Sequence, residues 1–422
     1  MVFKFANNVQ AGCFGLIIEA SRSVFDVAFP LFALQVLDSR SNIFFSALHI
    51  GSGVGMLALS QNKIAVWVES LLYPSFFALG MTYLTLGLSP TSFPMFLLVA
   101  GVIGLVTSVA SISSSVRIQI LSRDKPERSH LNALYRVAGI IAKIASPLCI
   151  GKILDSSNRT ARPEEHVAQS RHALLLSAVG AGLCLMAIML SLFPNVSSKH
   201  EDGHVKRKGV RGTHQSGDAS EQWFQICAYC LCVSLPNMAG GLIRSLLAPF
   251  LIHKLGAGPI FYSTTHSVAQ VSSAFFIIIA SRVLQNSGRS SLLRFLIVQS
   301  FAMAICAFAV GSCSSPVSAA ATFCLMRSLE QSCNLPNSLM LHELCTQESR
   351  SPTAADKSLL VHAIALQKGI GSVLKVIVSL LSAASLAHLG VATTIHIAAG
   401  ICMVGSASLA WIYFQNYHEK LT

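Results

Sequence analysis

The sequence predicts an all-α polytopic membrane protein with twelve transmembrane helices in two six-helix bundles. Of its 422 residues, 53% are hydrophobic and only 11% are charged, whereas about a quarter of the residues in a soluble domain are charged. A helix needs roughly 20 apolar residues to cross a bilayer, and such runs recur along the whole chain. One long hydrophilic segment lies near the midpoint and separates six runs from six.

The apolar runs are separated by short polar or Pro/Gly-marked breaks, which give twelve candidate spans. Their bounds are 10–37, 43–60, 64–88, 93–120, 131–154, 171–193, 223–252, 260–284, 292–312, 317–342, 358–385 and 391–415. The second span is short and rich in glycine, "HIGSGVGMLAL". That composition predicts a close-packed interface between helices rather than a surface that faces lipid.

Residues 194–222 are predicted to form a basic cytosolic linker between an N-terminal bundle, 1–193, and a C-terminal bundle, 223–422. Their polar composition is typical of a flexible tether. In each half a charged loop leads into an apolar helix that carries a lysine after a glycine, "AGIIAKIASP" and "KGIGSVLKVIVS". Such duplication is typical of transporters that bind their substrate between two repeated bundles.

Lysine and arginine are concentrated in the loops that are cytosolic if the N-terminus is cytosolic. Positively charged loops stay on the cytosolic side, so both termini are predicted to be cytosolic, in a plasma or an organelle membrane. The net charge of +12 is then mostly a determinant of topology, and no nucleic-acid partner is expected. Because the repeat is complete in one chain, we expect a functional monomer.

Several predicted spans carry charged side chains near their middle. The cations are Arg22, Lys143, Arg244, Arg327, Lys368 and Lys375, and the carboxylates are Glu19, Asp26 and Glu330. Each such charge costs about 2.5–3.5 kcal/mol at the centre of a span, so it should be paired or line water. The excess of cations predicts a positive cavity that binds a carboxylate or phosphate. We take Arg22, Lys143, Arg244, Arg327 and Lys375 as the candidate substrate-binding residues.

The three carboxylates are candidates for proton coupling or for structural ion pairs. Glu19, Arg22 and Asp26 are spaced i, i+3 and i+7, which places them on one face of a helix. Arg327 and Glu330 are three residues apart and can neutralise one another. Burial disfavours a charged carboxylate and a neighbouring arginine favours it, so either role fits these residues. An interhelical ion pair is likewise the alternative role for Lys143 and Lys375.

Prolines and glycines interrupt the spans that carry these charges. The candidate kink residues are Pro147, Gly151, Pro236, Pro249 and Pro336. Kinks and unpaired carbonyls suit the bending that alternating access needs. The alternative is the ordinary tolerance of proline in membrane helices.

With twelve spans, a six-plus-six division and a basic central loop, the chain resembles the major facilitator superfamily. The segment "ASRVLQNSGRSSLLRF" keeps Gly288 and Arg289 of the superfamily's gating-loop motif but lacks its aspartate, and "LSQNKIAV" in the first half is more reduced. The segment "AGIIAKIASPLCIGKIL" resembles the Gly-Pro-rich fifth helix of superfamily exporters, with Pro147 and Gly151 in place. The resemblance implies that helices one, four, seven and ten line a central cavity, to which helices five and eleven contribute.

Parts of the first half also resemble the ferroportin branch of that superfamily. The segments are "SRSVFDVAFPLFALQV" and "LNALYRVAGIIAKIASPLCIGKIL". That branch's acidic metal ligands would fall at Ser21 and Gly139, which are not acidic, so iron transport does not carry over.

Together these features predict a secondary transporter of a small organic or inorganic anion that works by alternating access and is open to proton coupling. One alternative is a metal-ion or cationic-drug exporter that uses Glu19 and Asp26 as ligands, and another is a transport-dead sensor. The chain has no HExxH or GxSxG motif, and its one CxxC, Cys227 to Cys230, lies within a predicted span. We therefore expect no enzyme activity, cofactor or metal site, and we expect only a small molecule and the lipid bilayer as partners.

Overall fold

The computed structural model describes residues 8–21, 23, 27, 41–60, 70–88, 93–121, 125–158, 165–192, 216–284, 288–345, parts of 363–381, and 388–418. Within these ranges the regular structure is entirely helical. The helices are α1 (8–21), α2 (Ser41–Ser60), α3 (Leu72–Leu88), α4 (Phe93–Leu121), α5 (Lys125–Asn158), α6 (Glu165–Leu192), α7 (Ser216–Pro249), α8 (Pro259–Leu284), α9 (Arg289–Ser312), α10 (Pro316–Ser332), α11 (Asn334–Cys345) and α12 (Val391–His418).

Each of the twelve predicted spans contains helical residues, which confirms the all-α prediction. Six helices in the described ranges are long and apolar enough to cross a membrane. Helix α6 ends at Leu192 and α7 begins at Ser216, so the last seven residues of the predicted linker are helical. The division into bundles at 193 and 223 stays a prediction.

Glycine allows α2 to pack closely against α4. A Cβ atom on Gly51 would overlap the carbonyl oxygen of Gly101, and one on Gly55 would lie 3.0 Å from the Leu105 carbonyl oxygen. The hydroxyl groups of Ser52 and Ser108 are 2.7 Å apart and share a hydrogen bond. The close-packed interface that was predicted for the second span is confirmed. Small residues let backbones approach where the surrounding lipid offers no hydrophobic drive to associate.

The helix interruptions occur at two of the predicted prolines. After Pro249 the backbone changes to a π-helical turn, Phe250–Lys254. The tenth predicted span is divided at Cys333, which separates α10 from α11. Pro336 lies in the first turn of α11 and has no N–H to donate to the Ser332 carbonyl, which explains why the helix is interrupted there. Pro147 and Pro236 lie inside helices that continue past them.

Helices α5 and α8 pack against each other and join the predicted halves. The Ser267 hydroxyl donates a 2.9 Å hydrogen bond to the carbonyl oxygen of Ile144. Gly151 lies directly against the Ser263 side chain, with no room for a Cβ atom. This contact places the middle of α5 beside the middle of α8.

We predict that Gly51→Ala lowers the melting temperature of the detergent-solubilised protein, because the added methyl group overlaps the Gly101 carbonyl. Overpacking of this kind costs about 1–3 kcal/mol. Gly53→Ala is the matched control in the same helix, since its Cβ atom would meet only the Ser372 Cβ at 3.7 Å. Equal melting temperatures for the two variants would contradict the described α2–α4 contact.

Candidate functional site

A buried carboxylate with two arginine partners is the central feature of the candidate site. Glu330 on α10 accepts a hydrogen bond from Arg327 Nη1 at 2.5 Å and from Arg244 Nη2, on α7, at 3.3 Å. The Glu330 side chain is 7% exposed. Two of the described cations face this carboxylate, so the three side chains together carry one excess positive charge.

Gly240 allows α7 to approach the carboxylate. A Cβ atom at this position would lie 2.8 Å from Glu330 Cδ and 2.9 Å from its Oε2. One turn later on the same helix, Arg244 Nε donates a 3.3 Å hydrogen bond to the Gly240 carbonyl oxygen. The absence of a side chain at residue 240 thus lets Arg244 and Glu330 meet across the two helices.

Arg327 and Arg244 differ in how many of their N–H donors remain available for a further hydrogen bond. The Gln331 side-chain amide, oriented with its oxygen toward Arg327, accepts hydrogen bonds from Nη2 at 2.7 Å and Nη1 at 3.1 Å. Together with Glu330, these bonds hold a guanidinium that is almost fully buried. The Arg244 side chain is 27% exposed, and only two of its five N–H donors have the partners given above. Arg244 is therefore the arginine with capacity to bind a further anion.

A histidine on α8 packs beside this cluster. The His266 ring lies 4.7 Å from the Tyr262 ring, edge-on, and 5.6 Å from the ring of Phe323. Phe323 is one turn before Arg327 on α10, so His266 packs on the helix face that carries the arginine. His266 Nε2 is buried without a hydrogen-bond partner among the residues that the structure describes.

A second ion pair joins α1 to α5. Lys143 Nζ lies 3.3 Å from Glu19 Oε2, and the lysine is the more exposed partner. A Cβ atom on Gly139 would lie 3.0 Å from Glu19 Cγ, so this glycine leaves room for the glutamate. The interhelical ion pair that was the alternative role for Lys143 is present.

Four predicted charged residues lie outside the described residues, namely Arg22, Asp26, Lys368 and Lys375. The predicted Glu19–Arg22–Asp26 network therefore stays a prediction. Lys143, which forms an ion pair with Glu19, belongs to another helix, α5.

Polar side chains also meet at the interruption between α10 and α11. The Gln299 side-chain amide on α9 donates to the Ser332 hydroxyl. The Tyr229 hydroxyl on α7 donates a 2.8 Å hydrogen bond to Asn337 Oδ1 on α11. These four residues were not predicted, because their only signal in the sequence is an isolated polar side chain within an apolar run.

The predicted gating-loop residues lie at the start of α9. Gly288 is the N-cap residue, and exposed Arg289 is the first residue of the helix. One turn further, Arg294 Nε donates a 2.6 Å hydrogen bond to the Tyr413 hydroxyl on α12. The start of α9 is thus tied to the end of α12.

Within the described ranges, no group of three or more His, Cys, Asp or Glu side chains lies close enough together to hold a metal ion. In the CxxC motif, Cys227 is exposed and Cys230 is buried. Their side chains therefore lie in different surroundings.

Solved structures similar to this one cover nearly the whole chain. A bacterial homologue of the human lysosomal transporter Spinster matches with a TM-score of 0.69 and 13% identity, over 98% of this chain and 96% of the other. The nucleoside transporter NupG matches with a TM-score of 0.70 and 15% identity, over 96% and 99%. The chain has the major facilitator fold.

A bacterial metal transporter matches this fold with a TM-score of 0.60 and 14% identity, over 96% of this chain and 98% of the other. No family profile and no curated protein sequence matches the chain. At these identities the similarity shows the major facilitator fold, and the three similar proteins are named for different functions. The charged site must be interpreted from its own residues.

We predict that Gly240→Ala destabilises the protein relative to Gly241→Ala. Both changes gain roughly 1 kcal/mol of helix propensity, but only the first places a methyl group against the fixed Glu330 carboxylate. At Gly241 the added atom would meet only Arg244 Nη2, at 3.7 Å. Thermal melting of the two variants in the same detergent measures the difference. A melting temperature for Gly240→Ala at or above that of Gly241→Ala would contradict the close approach of α7 to Glu330.

Proposed function

We propose that the protein is a secondary transporter of a small anion that works by alternating access. The observation that carries this proposal is the Arg244–Glu330–Arg327 cluster, in which a partly exposed guanidinium keeps unused donors. Guanidinium groups bind carboxylates and phosphates through two parallel hydrogen bonds. The major facilitator fold, shared with proteins named as transporters, supports transport as the activity.

The distribution of charge supports an anion as the substrate. Lys143 and Glu19 neutralise each other in one ion pair. The cluster on α7 and α10 keeps one positive charge, because Glu330 is shared by two arginines. Among the charged groups described here, the excess is therefore positive and lies beside the partly exposed Arg244. A negatively charged substrate would remove that excess.

Glu330 already occupies the position of an anion between the arginines, which suggests how transport couples to protons. A substrate anion must compete with this carboxylate for Arg244. If Glu330 takes up a proton, its attraction for Arg244 falls and the guanidinium is released to the substrate. Binding of anion and proton together would then be favoured, as in a symporter. This assigns the coupling role to Glu330 rather than to Glu19, whose partner is Lys143.

The alternative is a metal-ion exporter, and the similarity to a metal transporter of the same fold supports it. Glu19 would be one ligand, but a lysine ammonium group 3.3 Å away competes with any cation there. The arginine cluster repels cations as well. We therefore prefer an anion as the substrate.

The proposal also includes two features predicted from the sequence, namely that both termini are cytosolic and that the protein functions as a monomer.

We predict that Arg244→Ala reduces anion uptake by at least about tenfold, because a charge-assisted hydrogen bond contributes about 1.5–3 kcal/mol. Purified protein in proteoliposomes is tested against a panel of labelled carboxylates, phosphate, sulfate, divalent metals and cationic drugs. Arg244→Lys should retain part of the uptake, because it keeps the charge and loses the planar fork. Arg282→Ala is the control, since it removes an exposed arginine at the end of α8.

Three results would contradict the anion proposal. Uptake of metals or cationic drugs alone would favour the exporter alternative. Binding without counterflow would favour a sensor. Anion uptake that is equal in Arg244→Ala and Arg282→Ala would place the substrate elsewhere.

We predict that Glu330→Gln abolishes the stimulation of uptake by an inward proton gradient. The amide cannot take up the proton, although it remains able to accept a hydrogen bond from Arg327. Exchange of labelled for unlabelled anion at equal pH should persist, since it requires no net proton movement. Glu19→Gln is the matched control, and it should retain the gradient response. The opposite result, a response lost only in Glu19→Gln, would assign proton coupling to α1.

A further inference from the structure

The contact between the start of α9 and the end of α12 fixes an arginine at the protein surface. Arg294 Nε donates to the Tyr413 hydroxyl, and the guanidinium carbon lies 5.3 Å from the centre of the Tyr413 ring. The Tyr413 ring in turn packs edge-on against Phe414 at 5.7 Å. The Arg294 side chain is exposed, yet the contacts with Tyr413 hold its guanidinium group in place on the Nε side.

The hydrogen bond to Tyr413 uses only Nε, so both terminal nitrogens of Arg294 remain available. These two nitrogens form the fork that binds two oxygens of one phosphate. Arg289, also exposed, lies five residues earlier at the first position of α9. The described part of α12 contains no acidic residue, and neither does the chain from Gln222 to Leu329. The charge that α9 and the described part of α12 contribute to this surface is therefore positive.

An apolar stripe continues along α9 from Arg294. Val298, Phe301 and Ile305 are exposed and follow at i+4, i+7 and i+11, which keeps them on the same face of the helix. Trp411 and Phe414 are exposed on α12 beside it. Tryptophan and tyrosine at the end of a spanning helix are typical of the membrane interface. A positively charged group with an apolar stripe beneath it matches a lipid, with its headgroup above its acyl chains.

We propose that Arg294, held by Tyr413, binds the phosphate of an anionic phospholipid, whose acyl chains lie along the apolar stripe of α9. The apolar stripe is the reason to choose a lipid over a soluble phosphate, which would gain nothing from it. The site lies on the side predicted to be cytosolic, where anionic lipids are concentrated. It is separate from the Arg244 cluster and does not depend on the proposed transport activity.

The test is native mass spectrometry of the full-length protein with added phosphatidylglycerol or phosphatidylcholine. We expect a preference for phosphatidylglycerol that falls about fivefold in Arg294→Gln, since a basic residue near the surface contributes on the order of that factor. Tyr413→Phe should weaken the preference too, because the guanidinium is then no longer held. Arg282→Gln is the matched control, which removes one exposed arginine at the end of α8 and should leave the preference unchanged.

Two results would overturn the proposal. An equal loss in Arg282→Gln and Arg294→Gln would show a general effect of charge rather than a site. Displacement of phosphatidylglycerol by millimolar inorganic phosphate would show that the apolar stripe plays no part. Melting temperatures of all variants are measured in parallel. If Arg294→Gln does not fold, Tyr413→Phe and Arg294→Lys decide, since a lysine keeps the charge but lacks the fork.

Discussion

The carboxylate of Glu330 imposes the strongest physical constraint on the C-terminal part of this protein. A charged group buried among membrane helices is costly unless cations and hydrogen-bond donors surround it. Arg327 lies one turn earlier on the same helix, and Arg244 reaches it from α7. That second contact requires α7 to approach α10 closely, which is why a glycine stands at residue 240. The buried charge of Glu330 thus requires the close contact of α7 with α10, and that contact requires the small residue Gly240.

The two ion-pair sites are built in the same way but differ in net charge. In each, a glutamate is reached from a neighbouring helix, and a glycine on that helix leaves room for the side chain: Gly139 for Glu19, Gly240 for Glu330. The α1–α5 pair is neutral, whereas the α7–α10 cluster has one more cation. The hydrogen bond from Ser267 to Ile144 is one residue away from both sites along the chain, because Ile144 follows Lys143 and Ser267 follows His266, which packs beside the cluster. A shift of α5 against α8 would therefore displace residues next to both sites.

Much of the fold could be predicted from the sequence, because each spanning helix must be apolar over a length set by the bilayer. The close packing of the second span was also predictable, since its glycines have no other evident use. The i, i+3 spacing was enough for the Arg327–Glu330 pair. The partner of Arg244 was not predictable, because contacts between helices depend on how each helix is rotated. Isolated polar residues such as Gln299 and Asn337 have no periodicity, so their meeting at the helix interruption could only be seen in three dimensions.

The interruption at Cys333 changes what determines the stiffness of the tenth span. An unbroken helix resists bending through its own backbone hydrogen bonds, but here Pro336 offers no donor to the Ser332 carbonyl. The backbone hydrogen bonds from Cys333 to Leu329 and from Asn337 to Cys333 still cross the interruption. Side chains from α9 and α7 support the weakened segment, through Gln299 and Tyr229. Resistance to bending is thus a property that three helices share. A single substitution on α7 or α9 can soften a helix to which it does not belong.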